Sequence, residues 1–261
     1  MEMELLRYIS IKNGLGLSYI SKDERLSNIL SQIWDIMGEK VILKGGTALN
    51  RVYLSKINAS RFSEDIDLDY ISEEPLDVKI KEIKKFVNEI KGFNIKGPRI
   101  LHRTLRFDCY YNNELDKKDV VRLEFYLNKS PFREARIELV KSPFIDSYPT
   151  MFKVYSLEDL IAKKLIAFYN RGEGKDIYDL FFSFQMDIDR EKLMDTLNIN
   201  IEFYNIVDFF KGLMRQINLA KQEAWYIGNS TNHFIPKSLR PNWVELIETL
   251  EGDLSKRFKE I

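Results

Sequence analysis

Residues 41–70 read VILKGGTALNRVYLSKINASRFSEDIDLDY. An apolar run, Val41, Ile42 and Leu43, has the character of a strand and meets a Gly45-Gly46 turn that carries a hydroxyl, Thr47. A segment with helical character follows, and then Ser63-Glu64-Asp65-Ile66-Asp67-Leu68-Asp69. Successive strand side chains point to opposite faces. Asp65, Asp67 and Asp69 are therefore expected on one face, with Ile66, Leu68 and Tyr70 on the other. A row of carboxylates repels itself unless a cation sits among them. Hard oxygen ligands suit Mg²⁺, with Mn²⁺ as its substitute, and Mg²⁺ is usually shared with substrate phosphates. Glycine lets backbone amides come close to phosphate oxygens. The stretch thus points to chemistry at phosphorus.

The rest of the composition narrows the class. The chain has 261 residues, 44% of them hydrophobic, enough for one large core or two modest ones. Forty basic residues balance forty acidic ones, so no global polycation speaks for nonspecific coating of DNA. Cys109 is the single cysteine, which excludes a disulfide framework and a thiolate metal site and reads as a packed thiol. No signal-like segment or run of about 18 apolar residues is present, so a cytoplasmic chain without membrane contact is expected.

Along the chain, Ser21-Lys22-Asp23-Glu24 matches a capping box. Behind it Leu26, Ile29, Leu30, Ile33, Trp34 and Met37 keep helical spacing up to Gly38. A strand is predicted over 40–43, a helix over 47–54, the acidic strand over 63–70 and a helix over 76–91. Alternating runs over 103–111 and 120–127 form a hairpin, and 135–140 extends the sheet. Beyond Pro149 the pattern is helical: a helix capped by Ser156, then 176–184, 190–197, 201–218 and 242–259. The expectation is an α+β fold with a mixed-sheet core over 1–150 and a helical domain over 151–261 that completes a nucleotide cleft.

Three constellations carry chemistry. In the first, Lys44, Gly45, Gly46, Thr47 and Ser63 would meet phosphates while Asp65 and Asp67 hold Mg²⁺. The second is a further carboxylate for the cation. Glu124, on an alternating strand with Arg122 and Tyr126, is the first choice, with Asp108 and Glu138 as competitors, and an ordinary surface glutamate fits Glu124 equally well. The third is SLEDLIAKKLIAFYNRGEGKDIYDL over 156–180. Lys163 and Lys164 lie in its first helix, and Asp176 and Asp179 share a face of the next. A lysine there clamps a triphosphate or simply forms an inter-helix ion pair with Asp179.

The four motifs in this order resemble the AbiEii/AbiGii toxin nucleotidyltransferases, a family that includes the mycobacterial MenT toxins. They read Gly45-Gly46-Thr47, Arg61-Phe62-Ser63-Glu64-Asp65-Ile66-Asp67, Asp159 through Ala167 around Lys164, and Lys175-Asp176-Ile177-Tyr178-Asp179. The resemblance implies a polymerase-β-like nucleotidyltransferase core. It matches Asp65 and Asp67 to metal-binding acids, Ser63 to the serine beside them, Lys164 to a nucleotide-contacting lysine and Asp179 to an essential acid. Two positions depart from the pattern. Lys175 stands where arginine is usual and cannot form a bidentate fork, and Asp159 stands where glutamate is common.

The same resemblance implies a toxin that moves a nucleoside monophosphate from an NTP to an RNA acceptor, a tRNA 3′ end above all, and that has a cognate antitoxin. A protein hydroxyl as acceptor and a non-catalytic nucleotide-binding regulator are the rivals. The basic residues Lys79, Lys81, Lys84, Lys85, Lys91, Lys96, Arg99, Arg103 and Arg106 suit either an RNA path or a solvated face. His102 and His233 have no partner at metal-ligand spacing, and the aromatic residues over 201–210 read as core.

Overall fold

Alternation at the acidic strand decides the layering of the chain. In a computed structural model, which describes residues 1–128, 132–147, 149–201 and 205–258, Ile66, Leu68 and Tyr70 are buried behind Asp65 and Asp67. That strand, β2 (Asp65–Tyr70), lies inside a seven-stranded mixed sheet. The sheet contains β1 (Val41–Lys44), β3 (Asn94–Leu101), β4 (Thr104–Asn112), β5 (Lys118–Tyr126), β6 (Ala135–Val140) and β7 (Thr150–Tyr155), in the order β3-β4-β5-β2-β1-β7-β6. β2 is antiparallel to β1 and parallel to β5, and β1 is parallel to β7. The apolar face continues through Leu105, Phe107 and Cys109 of β4 and Val121, Leu123 and Phe125 of β5. Burial pushes the Cys109 thiol up to about 12, with help from the Asp108 charge, so it is a packed thiol. Helix α1 (Met3–Asn13) leads into α2 (Leu17–Met37), which packs on β2, β5 and β7.

The chain divides into two compact units: Met1–Ser130 with Ala135–Tyr155, and Pro131–Glu134 with Ser156–Ile261. The first holds the whole sheet, together with a short α3 (Gly45–Ala48) and α4 (Leu76–Val87). The second is helical: α5 (Leu157–Arg171), α6 (Gly174–Ser183), α7 (Arg190–Asn200), α8 (Ile206–Gln222), α9 (Ala224–Thr231) and α10 (Trp243–Arg257). α5 packs on α6, α7 and α8, and α10 on α6, α8 and α9. Ser156 caps α5 by accepting from the Asp159 amide.

Several local expectations are corrected. Ser21 does not cap a helix. α2 starts five residues earlier, behind Gly16, because Leu17 and Ile20 extend its apolar stripe upstream, and the Ser21 hydroxyl instead donates to Glu114. α1, α9, β3 and β7 are additional elements. The predicted helix over 201–218 starts at Ile206, and its residues 202–204, like residue 259 of the last predicted helix, lie outside the described residues. Among the described residues no helix is long and apolar enough to cross a membrane.

Candidate active site

The glycine turn is built to receive the acidic strand. Gly45 has φ +69°, a conformation that favours glycine. A Cβ on Gly45 would stand 2.2 Å from Asp67 Oδ2, and one on Gly46 would stand 2.9 Å from Ser63 Oγ. The missing side chains are therefore the cradle in which Asp67 and Ser63 sit. Behind the turn the chain passes from α3 into a π turn, Leu49–Tyr53. Asn50 there donates to Gly46 O at 3.0 Å and accepts from the Arg61 amide at 2.8 Å. Arg51 is buried and pairs with Asp23 of α2 at 2.6 Å. The turn and the segment before β2 are thus tied to each other and to the helix layer. Gly45→Ala is expected to cost about 1–3 kcal/mol through its backbone alone. It should also displace Asp67. A melting temperature within a degree of wild type, with full turnover, would refute the cradle.

Thr47 does not present its hydroxyl to a ligand. It is fully buried and donates to Asp65 O at 2.5 Å, with Ser63 Oγ at 3.0 Å, so it locks the turn to β2 rather than gripping a phosphate. Lys44, at the end of β1, is opposite Asp67, and Glu124 of β5 is opposite Asp67 on the other side. Asp65 faces Arg122 in the same register. Asp65 and Asp67 are partly exposed.

Asp65, Glu124 and Asp108 each have an arginine partner. Arg122 is 3.5 Å from Asp65. Arg106 holds Glu124 through Nε at 2.7 Å and Nη2 at 2.6 Å. Arg99 holds Asp108 at 2.5 Å. Among the described residues no three carboxylate, imidazole or thiol groups converge on one point. The oxygen-only pair of Asp65 and Asp67, the second of them seated against the glycine cradle, nevertheless suits a hard divalent cation such as Mg²⁺.

The sheet also orders the candidates for a further carboxylate. Neighbouring strands lie about 4.8 Å apart. Glu124 is one strand from Asp67, and Asp108, on β4, is two strands away at about 10 Å. Glu138 is excluded, since β6 lies three strands away on the opposite side, about 14 Å from β2. The basic residues separate into two places. Lys79, Lys81, Lys84 and Lys85 belong to α4, while Lys96, Arg99 and Arg106 share the sheet face of Asp65. His102 lies in the β3–β4 turn, and His233 packs on Phe234 with ring centroids 4.0 Å apart.

In the helical unit Lys164 is buried, and its ammonium lies 2.8 Å from Asp176 and 2.8 Å from Asp179. Lys163, one residue earlier, instead reaches Asn200 at 3.3 Å. Arg171 grips Asp176 through Nε at 2.7 Å and Nη2 at 2.9 Å. Burial raises the Asp176 carboxyl, but the Lys164 charge, followed by Arg171, overcomes it and holds the group down at about 2. Arg171 thus makes a bidentate fork onto Asp176, while Lys175 packs over the Phe234 ring at 4.7 Å.

The family of nucleotidyl transferase AbiEii toxins, of type IV toxin–antitoxin systems, matches residues 28–261. The chain belongs to this family. Nucleotidyl transfer is therefore its chemistry. No curated protein sequence gives a significant match. The fold is similar to that of MenT4, a nucleotidyltransferase toxin of Mycobacterium tuberculosis, at 15% identity and a TM-score of 0.63, covering 100% of this chain and 90% of that one. It is also similar to JHP933 of Helicobacter pylori, at 16% identity and TM-score 0.53, covering 93% and 96%. Another solved structure, of a nucleotidyltransferase from Helicobacter pylori, aligns at 17% identity and TM-score 0.57, covering 94% and 97%. The AbiEii motifs fall on the glycine turn, β2, α5 and α6.

Three residues around these AbiEii motifs escape a reading of the sequence: Asp69, Tyr155 and Arg171. Asp69 shares the acidic face but is fully buried, Tyr155 belongs to an unpredicted strand, and Arg171 sits at a helix end with only its i,i+5 spacing to Asp176 as a signal.

Proposed function

We propose that this toxin moves a nucleoside monophosphate from an NTP to an RNA hydroxyl, at the 3′ end of a tRNA, with Mg²⁺ held by Asp65 and Asp67. The observation that carries the reading is the register that sets Asp67 between Lys44 and Glu124, over the Gly45 cradle. When bound, the ion supplies Lewis-acid activation of the attacking hydroxyl and charge neutralisation at the leaving pyrophosphate. The chain's own groups do the rest. The amides of the turn and the Lys44 ammonium bind phosphate oxygens. The acceptor oxygen bonds to the α-phosphorus as the bond to pyrophosphate breaks. Glu124, the carboxylate beside Asp67, would be the further ligand of the ion, and the hydroxyl proton passes to solvent water. For the helical unit the family resemblance gives Lys164 a nucleotide-contacting role, with Asp179 orienting it and Asp176, braced by Arg171, fixing both. A cognate antitoxin is the expected partner, in line with the family's toxin–antitoxin context.

The test is incubation with each labelled NTP, Mg²⁺, total RNA and cell protein. Label is expected in the tRNA band, and sequencing should find added nucleotides at tRNA 3′ ends. Expression in a bacterial host is expected to arrest growth, because a blocked 3′ end cannot be aminoacylated, and Asp67→Asn should relieve the arrest. Label confined to protein would move the acceptor to a Ser, Thr or Tyr hydroxyl. No label in any band would leave nucleotide binding without transfer.

A further inference from the structure

The third aspartate of the acidic strand differs from the first two. The Asp69 side chain is 1% exposed, whereas that of Asp65 is 37% exposed. A buried carboxylate needs partners, and Asp69 has two. The Tyr155 hydroxyl donates to Oδ2, and the Lys44 ammonium stands against Oδ1 as a charge rather than as an aligned hydrogen bond. The Lys44 ammonium also lies 4.4 Å from the centroid of the Tyr126 ring. Tyr155 is itself fixed, since its carbonyl accepts from the Tyr53 hydroxyl of the π turn at 2.7 Å. A chain of contacts thus runs from the π turn through Tyr155 and Asp69 to Lys44. It ends on a cation, 21% exposed, at the residue before Gly45.

We propose that Asp69 is a positioning residue and not an ion ligand: held by Tyr155, it fixes the Lys44 ammonium beside the glycine turn, where the ammonium meets the phosphate oxygens of a nucleoside triphosphate. The inference rests on the proposed transfer function and adds the device that aims its lysine. A free lysine samples many rotamers, whereas one held between a carboxylate and a ring is already in place when the polyphosphate arrives.

The experiment measures two bindings by the full chain. Equilibrium dialysis follows α,β-methylene nucleoside triphosphates, and the signal of free ion in electron paramagnetic resonance follows Mn²⁺ alone. Lys44→Met and Asp69→Asn are each expected to weaken analogue binding about tenfold, the scale of one charge-assisted contact, and Tyr155→Phe about threefold. Mn²⁺ affinity should stay within about twofold of wild type in all three, on the same scale. Lys44→Met/Asp69→Asn should bind the analogue no worse than Lys44→Met, since Asp69 acts only through the lysine. This double variant buries no unpaired charge, so with Tyr155→Phe it decides the matter if a single variant fails to fold. A loss of Mn²⁺ affinity in Asp69→Asn equal to that in Asp67→Asn would overturn the proposal, because Asp69 would then be a ligand. A further tenfold loss in the double variant, or wild-type analogue binding by Asp69→Asn, would also overturn it. Intact Mn²⁺ binding and turnover in Asp67→Asn is a different result, and it would overturn the transfer site itself.

Discussion

Asp67→Asn is expected to abolish transfer and to leave the protein folded. Asparagine has nearly the shape of aspartate, and the backbone pairing of Asp67 with Lys44 and Glu124 on either side does not depend on the side-chain charge. The carboxylate is partly exposed, so its loss opens no cavity. What disappears is the anionic oxygen donor seated at the glycine cradle. A lost ligand should remove about 4 kcal/mol of transition-state stabilisation, roughly a thousandfold in rate. Asp65→Asn should behave alike. Initial rates with saturating Mg²⁺ and a thermal melt on the same sample check both halves. Wild-type rates in both variants would end the assignment, and a collapsed melt would show that the aspartate holds the fold instead.

Lys164→Ala has the largest expected effect on stability. The substitution strips the cation from two fully buried carboxylates, Asp176 and Asp179. Breaking a buried pair from one side costs about 3–5 kcal/mol, and Arg171, which still grips Asp176, keeps the loss near about 3. The melting temperature should fall by roughly 10 °C. Lys163→Ala, at a half-buried lysine next to Asn200, should change stability by less than about 0.5 kcal/mol. The pH dependence gives a second signature. The Asp176 carboxyl is lowered from 3.8 to about 2 in the folded state. Its contribution, about 2 kcal/mol, is therefore present above pH 4 and is lost as pH falls towards 2. In Lys164→Ala Asp176 loses its main cation and protonates more readily, so the deficit is widest at neutral pH and narrows below pH 4. Equal melting temperatures for the two alanine variants, or a deficit that widens in acid, would contradict this account.

The acidic strand, the glycine turn, the β4–β5 hairpin and the Ser156 cap are legible because each rests on local chemistry. Alternation places Ile66 and Leu68 in the core, and a positive φ needs glycine at position 45. The elements that escape are those where tertiary contacts overrule a local signal. The Ser21 pattern imitates a cap, but packing of Leu17 and Ile20 carries the helix through it. β3 shows no clean alternation because a bulge between Lys96 and Arg99 breaks its register at the sheet edge. β7 is only six residues long and follows Pro149, beyond which the helical pattern dominates the reading. At the site, the shared face of the three aspartates can be read from spacing. That Asp69 is buried and faces Tyr155 cannot, because the two lie 86 positions apart. Glu138 alternates much as Glu124 does, and only the strand order and the register, which put it on the face of Phe152, Val154 and Leu43, separate them.

The position of β7 has a consequence during synthesis. Leu43 pairs with Val154, which leaves the ribosome more than a hundred residues later. At a translation rate of about 5–20 residues per second, the interval is roughly 5–20 s. Once Asp69 is made, the nascent chain carries all three aspartates, but β1 has an open edge and Asp69 lacks the Tyr155 hydroxyl. Translation of β7 completes the first unit, and the helical unit that carries Lys164 follows it. Chains truncated before Val154 should sediment with aggregates through the exposed β1 edge and should transfer no label, whatever ion or nucleotide they are given.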